Sequence, residues 1–467
     1  MTPAPLSDPI DGTKWLGTLS SPTGTTPFAL EFRRSPKGAL YLVETLPVMH
    51  IYSQLVSRVT PRADEYVFDD LPGSARIEGN TLRGVALYAK MPFQLERISE
   101  LPAPAVSSPG TLPSGPASLW SRSLGAAAWA SPVIREGVLY LGTVDGRVHA
   151  LRARDGHDVW TWSDSTPIYG DALVTGDAVF IVNDRTELIR LDRKSGTLRW
   201  RVPLDSGRRT AAKIPDDDTF NHRTATPVLA DGVLYVGSTD GGMFALDPAT
   251  GATTWRIDAG SKICAPVAVV ADRVLVGTLA GTLLALRRVN GKELWRRTTA
   301  AGIVSAPVVY RDRAVVGSRD FLLRAYRVAD GRELWSQHFW SSWVESTPRV
   351  LDGVMYIGSS DLRAVRALDP ATGTLKWSTD VYGAAYGAPV VTEGAVYIGV
   401  VGLAGYLIDH RASIVALDRG TGAIRWARAE STPVGTPIWG HPGTLTFANH
   451  TLYAAGLDGI VLALPAR

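Results

Sequence analysis

One eleven-residue pattern occurs almost unchanged at two distant places in the chain, as ALDPATGATTW at 245–255 and ALDPATGTLKW at 367–377. Related copies keep its Gly and Trp positions and lie at 150–160, 190–200, 285–295, 325–335 and 416–426. The tryptophans that close these copies, with Trp120 before them, recur roughly every 40 residues, a period typical of four-stranded propeller blades. Such a repeat predicts a chain built from stacked copies of one small unit.

The stretch 226–255 shows what one unit contains. Four short runs rich in β-branched residues are separated by turns at Asp231-Gly232, at Asp240-Gly241 and at Gly251. Short runs of this kind punctuated by Asp-Gly are hairpin signals in series. Each unit is therefore predicted to be a four-stranded antiparallel sheet.

The two ends of the repeat region decide the number of units. The last copy, at 443–467, supplies three strands and no tryptophan strand, whereas 118–125 is a tryptophan strand with no three strands before it. Pairing these pieces closes a ring and removes both open sheet edges. The predicted fold class is all-β, with an eight-bladed β-propeller over 118–467.

The conserved spacing within each copy has a physical interpretation as the contact between neighbouring blades. Ala at the first position lets sheets approach closely, and Gly at the seventh permits a turn residue with positive φ. The Trp at the eleventh position can bury its ring between blades while its indole N–H finds a backbone acceptor.

This pattern resembles the tryptophan-docking motif of the pyrroloquinoline-quinone-type (PQQ-like) propellers. That family contains quinoprotein alcohol dehydrogenases and the propeller lipoprotein of the outer-membrane barrel-assembly machinery. The resemblance covers about 118–467, and most of the matching residues are scaffold residues, so it implies a fold more than a function. The chain departs from the assembly branch in its extra N-terminal region and in having no cysteine near its start.

The N-terminal region, 12–98, contains no copy of the repeat. Six or more strands and no helix are predicted there. Its Trp15-x-Gly17, Gly79-x4-Gly84 and Phe93-x-Leu95-x-Arg97 motifs resemble the small lipocalin-like barrel that often precedes hydrolase domains. We therefore expect a small β-barrel domain over 1–100. Residues 101–117 are rich in proline and are predicted to be a semi-extended linker.

Composition excludes several classes of protein. A formal charge of +3 without a basic run argues against nucleic acid as a partner. Cys264 is the only cysteine, which excludes an internal disulfide, a Cys-rich zinc site and an iron–sulfur cluster held by this chain alone. The N-terminus has neither a basic nor an apolar signal region, and no apolar run reaches the roughly 18–20 residues of a membrane span. We expect a monomer that is cytoplasmic as written, or periplasmic if an export signal was removed.

The period is stretched at two places, 203–222 before blade three and 400–413 between the second and third strands of blade seven. In a propeller blade, the loop before the innermost strand and the loop between the second and third strands emerge on one face, at the mouth of the central channel. Both insertions are therefore predicted on that face, as a lid or docking surface.

Residues just before each innermost strand should surround the channel mouth, and they mix aromatic with ionisable side chains, as small-molecule sites do. They are Trp129, Tyr169, Asp171, His222, Arg223, Lys262, Cys264, Val304, Trp343, Glu345, Tyr386, Trp439 and His441. For catalysis we assign proton transfer to His222, His441 or Tyr386, stabilisation of negative charge to Arg223 or Lys262, and a supporting carboxylate role to Glu345. Trp129, Tyr169, Asp171, Lys262, Trp343 and Trp439 are the predicted ligand-binding residues.

Each of these residues also has a structural interpretation. Either histidine can be a hydrogen-bonded loop residue, Trp343 can plug the channel, and Cys264 can be a small buried hydrophobe. Glu345 can pair with Lys262 or with Arg223 without any catalysis.

Cofactor sites are not predicted. The three aspartates at 216–218 lack the calcium-loop spacing and suit a solvated acidic turn better. The resemblance implies a quinone held against a disulfide of adjacent cysteines, with calcium, and a chain with one cysteine cannot form that disulfide.

The leading functional hypothesis is a binding scaffold that holds a small molecule or a protein partner at the channel rim, without quinone and with no cofactor. The alternative is a cofactor-free lyase, isomerase or cyclase in the channel mouth, and a quinone-dependent dehydrogenase comes last.

Overall fold

The computed structural model describes residues 9–21, 24–70, 73–86, 91–101, 112–204, 224–406, 408–433 and 435–466. Contacts between Cα atoms divide the chain into two compact units, the first built on the N-terminal strands and the second on the sheets of the repeats. Within the described ranges, no helix is long and apolar enough to cross a membrane.

The first unit is a closed barrel in which each strand pairs with the next and β8 pairs with β1. Its strands are β1 Lys14–Ser21, β2 Gly24–Arg34, β3 Leu40–Leu46, β4 Ile51–Arg62, β5 Glu65–Phe68, β6 Gly73–Glu78, β7 Thr81–Ala86 and β8 Met91–Ile98, with a 3-10 helix at Pro47–Met49 between β3 and β4. The predicted small barrel is confirmed. Strand β4, which sequence patterning did not single out, carries mostly polar residues.

The resemblance motifs of this region meet where the barrel closes. Trp15 is fully buried, its Nε1 donates to Thr13 Oγ1 at 2.7 Å, and the guanidinium of Arg97 lies 5.8 Å from its ring. Gly17 is required here because a Cβ atom would lie 2.3 Å from the carbonyl oxygen of Gln94 on the paired strand. These contacts fasten β1 against β8.

Glu44 is an acid in the apolar wall of the barrel. It lies opposite Leu30 in the β2–β3 register and is 2% exposed, and its Oε1 has no hydrogen-bond partner among the described residues. Burial raises the pKa of Glu44 from 4.5 to about 8, because a charged carboxylate loses its hydration there. In the folded barrel this side chain is therefore protonated at neutral pH.

This buried acid makes barrel stability depend on pH. The unfolded chain ionises Glu44 above pH 4.5 while the folded chain stays protonated to about pH 8, so stability falls as pH rises between these values. We expect Glu44→Met to raise barrel stability at pH 7 by up to about 3 kcal/mol and to flatten this slope. Hydrogen exchange of β2 and β3 from pH 5 to 8, corrected for intrinsic rates, measures it.

Glu31 supplies the control for this prediction. It sits on β2, pairs with Arg33 at the surface, and that hydrogen bond lowers its pKa. Glu31→Gln should leave the slope between pH 5 and 8 in place. A slope that persists in Glu44→Met would show that another group causes it.

The second unit is a ring of eight four-stranded antiparallel sheets, as predicted. Strand β9 is Trp120–Ser123; blade one holds β10 Val133–Arg135, β11 Val138–Gly142, β12 Arg147–Arg152 and β13 Asp158–Ser163; blade two holds β14 Leu173–Val174, β15 Ala178–Val182, β16 Glu187–Asp192 and β17 Leu198–Pro203; blade three holds β18 Val228–Ala230, β19 Val233–Gly237, β20 Gly242–Leu246 and β21 Thr253–Asp258; blade four holds β22 Ala268–Val270, β23 Arg273–Gly277, β24 Thr282–Arg287 and β25 Glu293–Thr298.

The remaining blades follow the same order. Blade five holds β26 Val308–Tyr310, β27 Arg313–Gly317, β28 Leu322–Arg327 and β29 Glu333–His338; blade six holds β30 Arg349–Leu351, β31 Val354–Ile357, β32 Ala364–Leu368 and β33 Leu375–Asp380; blade seven holds β34 Val390–Val391, β35 Ala395–Leu403, β36 Ser413–Asp418 and β37 Ile424–Ala429, with β38 Ile438–Gly440 paired to β35; blade eight holds β39 Thr446–Ala448, β40 Thr451–Ala455 and β41 Ile460–Pro465.

The ring closes as the sequence predicts. Strand β9, the N-terminal tryptophan strand, pairs antiparallel with β41 and completes blade eight, with Trp120 opposite Ala463. The two ends of the repeat region thus share one sheet.

The eleven-residue pattern forms the contact between neighbouring blades. The indole Nε1 of Trp295 in blade four donates to the carbonyl oxygen of Val328 in blade five at 2.9 Å, and equivalent bonds join Trp120 to Ala153 and Trp160 to Arg193 at 2.9 Å each. The seventh-position glycine lies against the ring: at Gly331, where φ is 71°, a Cβ atom would meet Trp295 at 2.7 Å. The glycine is needed both for the turn and for the close approach of the indole.

The described end of the predicted linker is hydrogen-bonded to blade seven. Residues 102–111 lie outside the described ranges, but Gly115 N–H donates to Ala427 O at 3.0 Å and Ala427 N–H donates to Pro113 O at 2.9 Å. Ser114 forms a parallel bridge with Ala427. These last linker residues are therefore anchored along β37.

Candidate functional site

In blades one, four and five, the turn between the second and third strands lies beside the loop that leads into the innermost strand. In blade one Val144 N–H donates to Ala127 O at 3.0 Å, and in blade four Leu279 N–H donates to Lys262 O at 2.8 Å. Arg319 N–H in blade five makes the same bond to Gly302 O at 2.9 Å. Both kinds of loop therefore share one face of the propeller, as predicted.

A cavity of about 120 Å³ lies where these loops surround the channel. Each blade contributes the residue four positions before its first strand, and we call this set the outer tier: Trp129, Tyr169, Thr224, Cys264, Val304, Glu345, Tyr386 and Pro442. Most blades also contribute the residue two positions before the strand, and we call this set the inner tier: Ser131, Asp171, Thr226, Pro266, Thr347, Ala388 and Thr444. Extended backbone points alternate residues to the same side, which explains the two-residue spacing of the tiers.

The cavity brings together part of the predicted site. Among the predicted catalytic and ligand-binding residues, those that line it are Trp129, Tyr169, Asp171, Glu345 and Tyr386. Lys262, Trp343, Trp439 and His441 are described but are not lining residues. His222 and Arg223 lie outside the described residues, as do the three aspartates at 216–218.

Register explains two of the displaced residues. Lys262 and Trp343 precede Cys264 and Glu345 by two positions, so they fall one step beyond the outer tier. Sequence reasoning missed Thr224 and Pro442, whose small or ordinary side chains gave no chemical signal. Counting back from Thr226-Pro227 at the start of blade three would have found Thr224, whereas blade eight has Leu445 in place of that proline and gives no such signal for Pro442.

Glu345 has an ion-pair partner that differs from the two expected ones. Its Oε1 accepts from Arg319 Nε at 2.5 Å, and the two side chains are only 1% and 9% exposed. Arg319 also stacks on Trp343, with its guanidinium carbon 4.3 Å from the ring centre. Trp343 thus covers the ion pair and neither plugs the cavity nor lines it. Of the two partners predicted for Glu345, Arg223 lies outside the described residues, and the ion pair that the structure describes is with Arg319 and not with Lys262.

His441 and Trp439 serve as structural residues. His441 is buried, with Nδ1 3.1 Å from Ala455 O and Nε2 3.4 Å from Glu430 Oε1. Trp439, on β38, packs on the backbone of Gly402, where a Cβ atom would lie 2.4 Å from its ring. These contacts fit a hydrogen-bonded structural histidine better than a histidine that transfers protons in the cavity.

Inner-tier side chains tie neighbouring blades together around the channel. Ser131 N–H donates to Asp171 Oδ1 at 2.6 Å, and Asp171 N–H donates to Thr226 Oγ1 at 3.2 Å. Thr444 N–H donates to Ser131 Oγ at 2.9 Å, and Ala388 N–H donates to Thr444 Oγ1 at 2.9 Å. Asp171 is therefore both a cavity carboxylate and a link in this chain of bonds, which we call the inter-blade hydrogen-bond chain.

Charge and burial distinguish the remaining cavity groups. Burial raises the pKa of Tyr169, with Asp184 adding to the shift. Arg349 follows the lining residue Thr347 by two positions on β30; the surrounding protein lowers the pKa of its guanidinium, and Asp171 opposes that shift. The Tyr386 hydroxyl lies 3.4 Å from Ser360 Oγ. The cavity floor thus balances Asp171 against a nearby cation.

The blade-seven insertion adds to this face. Between β35 and β36, Leu403 bridges His410, and β38 extends the sheet beside β35. Of the blade-three insertion, 205–223 lie outside the described residues. In the described part of the chain, no group of three or more His, Cys, Asp and Glu side chains is placed to hold a metal ion.

Known proteins share this architecture. A family model described as outer membrane protein assembly factor BamB matches residues 114–247, 240–348 and 337–467. The BamB of Yersinia pestis is 28% identical over 154 residues, which are 30% of this chain and 36% of that protein. The chain therefore spans about a third of the length of that relative.

Solved structures show the same fold. The crystal structure of BamB from Moraxella catarrhalis has a TM-score of 0.50 at 18% identity, covering 87% of this chain and 93% of that one. Quinohemoprotein alcohol dehydrogenase from Comamonas testosteroni has a TM-score of 0.56 at 13% identity, covering 75% and 76%. At such identities the likeness concerns architecture and carries no functional assignment.

Proposed function

Because the chain belongs to the propeller family described as outer membrane protein assembly factor BamB, we propose that it is a binding scaffold. Its propeller holds a protein partner on the face where the channel opens, and it works without quinone. The chain divides functionally at 101–117, with the N-terminal barrel as an accessory module and 118–467 as the binding module.

The size of the channel site carries this proposal. Eight blades converge on about 120 Å³, well below the roughly 300–1,000 Å³ of pockets that enclose a drug-sized ligand. A site of this size cannot enclose a tricyclic quinone. The loops around the cavity, such as those that meet at Val144, Leu279 and Arg319, form the surrounding face on which we place the protein partner.

The contacts of the predicted acid–base residues favour a scaffold over the enzyme alternative. His441 is engaged with Ala455 and Glu430 away from the cavity. Glu345 is held by Arg319, and Tyr386 is the remaining described candidate for proton transfer at the cavity.

The names of the relatives bear on location. They refer to assembly at an outer membrane, a setting outside the cytoplasm. We therefore favour the periplasmic alternative over the cytoplasmic one, and the experiment below uses the native host so that the compartment is preserved.

Site-specific photo-crosslinking tests the scaffold with a control inside one blade. Ala280, exposed in the turn before β24, lies on the channel face, and its N–H donates to Ser261 Oγ at 3.1 Å. Val289, 73% exposed, lies in the turn after the same strand, on the opposite face. With a benzophenone amino acid at each position, we expect one defined protein adduct from position 280 and none from 289.

Mass spectrometry identifies the adduct, and purified partner must then bind the wild-type chain with 1:1 stoichiometry. Equal labelling from both positions, or no adduct from 280, would refute a partner on the channel face.

A further inference from the structure

One carboxylate that lines the cavity has an oxygen without a hydrogen-bond partner among the described residues. Glu345 Oε1 is occupied by Arg319, but Oε2 has no hydrogen-bond partner among the described residues although the side chain is 1% exposed. A buried carboxylate oxygen left unpaired is costly. Because Glu345 lines the cavity, a donor bound in the cavity can complete the hydrogen bonds of this carboxylate.

The lining selects the charge of that donor. Among the described residues that line the cavity there are two carboxylates, Asp171 and Glu345, and no Lys, Arg or His. Trp129, Tyr169 and Tyr386 present aromatic side chains to the same space, and aromatic faces attract cations. Asp171 Oδ1 already accepts from Ser131 N–H, so Glu345 Oε2, which has no described partner, is the acceptor for an incoming cation.

The volume limits the size of the donor. A cavity of about 120 Å³ is well below the roughly 300–1,000 Å³ of pockets that enclose a drug-sized ligand. This matches the end of an alkylammonium chain and excludes larger ring systems.

We propose that the channel mouth is a binding site for a primary ammonium group, which donates to Glu345 Oε2 and lies among Trp129, Tyr169 and Tyr386. The ammonium can belong to a free alkylamine or to a lysine side chain of the protein partner. The second source rests on the proposed function, and the first does not.

Ligand-observed NMR with n-propylammonium tests the site on the full chain, and 1-propanol, with the same four heavy atoms and no charge, serves as the control ligand. We expect saturation transfer to n-propylammonium with a dissociation constant on the order of millimolar and none to 1-propanol. Glu345→Gln should weaken amine binding at least tenfold. Equal binding of both ligands, or of amine to both proteins, would overturn the proposal.

Two further variants separate binding from folding. Asp320→Asn removes a charge from another buried ion pair, that of Asp320 with Arg324 at 2.7 Å, and should bind amine like wild type. Val304→Phe fills the cavity while leaving the Glu345–Arg319 pair in place and should abolish binding. Amine binding that survives Val304→Phe would place the ligand elsewhere and refute the site.

Crosslinking from position 280 in the Glu345→Gln background distinguishes the two sources. Loss of the adduct, and its competition by n-propylammonium, assigns the ammonium to a partner lysine. If Glu345→Gln leaves the adduct unchanged while the wild-type chain binds n-propylammonium, the ammonium group belongs to a free amine. If no partner is found at all, the scaffold function fails while the NMR result still decides the site.

Discussion

Replacing Trp295 by alanine is expected to lower the free energy of unfolding of the propeller by about 3 to 5 kcal/mol. The indole is 8% exposed, lies against Gly331 of the next blade and donates to Val328 O at 2.9 Å. Truncation removes the buried ring and leaves a cavity between blades four and five. It also leaves the carbonyl oxygen of Val328 without this hydrogen bond. Urea denaturation followed by far-ultraviolet circular dichroism measures the loss.

Two related variants resolve the contributions to this effect. Trp295→Phe keeps most of the apolar contact and loses the hydrogen bond, so about 1 to 3 kcal/mol should be lost. Trp200 occupies the same repeat position and also bonds to the next blade, at Ala249 O, but is only half-buried. Trp200→Ala should therefore cost less than Trp295→Ala. Equal losses at the two positions would mean that indole burial does not set the strength of the blade contact.

Removing either member of the Glu345–Arg319 pair is expected to destabilise the propeller by about 3 to 5 kcal/mol, because the other charge stays buried and loses this ion pair. Glu345→Leu removes the carboxylate that pairs with the guanidinium of Arg319, and Arg319→Met removes the described partner of the Glu345 carboxylate. The double variant Glu345→Leu/Arg319→Met should lose far less than the sum of the single losses.

Thermal and urea unfolding of the four proteins form a double-mutant cycle that isolates this coupling. Arg319→Lys is an informative addition, since an ammonium neither stacks flat on Trp343 nor reproduces the guanidinium geometry. Additive single losses would show that the pair does not act as a unit.

The propeller was predictable from sequence because every repeat carries both residues of the blade contact at fixed positions. Gly331 and Trp295 are one such glycine and tryptophan from neighbouring copies. Closure by β9 was predictable because the repeat region begins with one strand and ends with three. Joining these pieces is the pairing that completes a four-stranded blade. The barrel was less explicit. Bulges in the pairing of β3 with β4 interrupt simple alternation, and they hid the burial of Glu44.

The site was predictable only as a region. The innermost strands are two or three residues long, so their starts cannot be fixed well enough to separate Trp343 from Glu345 as covering and lining residues. The insertion in blade seven lengthens β35 to Leu403, and β38 pairs with this added part, so that Trp439 lies in a sheet. The partner of Glu345 is contributed by a turn of the preceding blade, and neither residue's local sequence indicates that contact.

The inter-blade hydrogen-bond chain makes the eight blades mechanically unequal although their sequences repeat. It runs without a break from blade seven through blades eight, one and two to blade three, the arc that contains the junction of β9 with β41. At blade four the corresponding residue is Pro266, which has no N–H to give and no side-chain acceptor. A circular permutant with new termini beside blade four would open the ring where this hydrogen-bond chain is interrupted. The natural junction of β9 with β41 lies within the part that the chain joins.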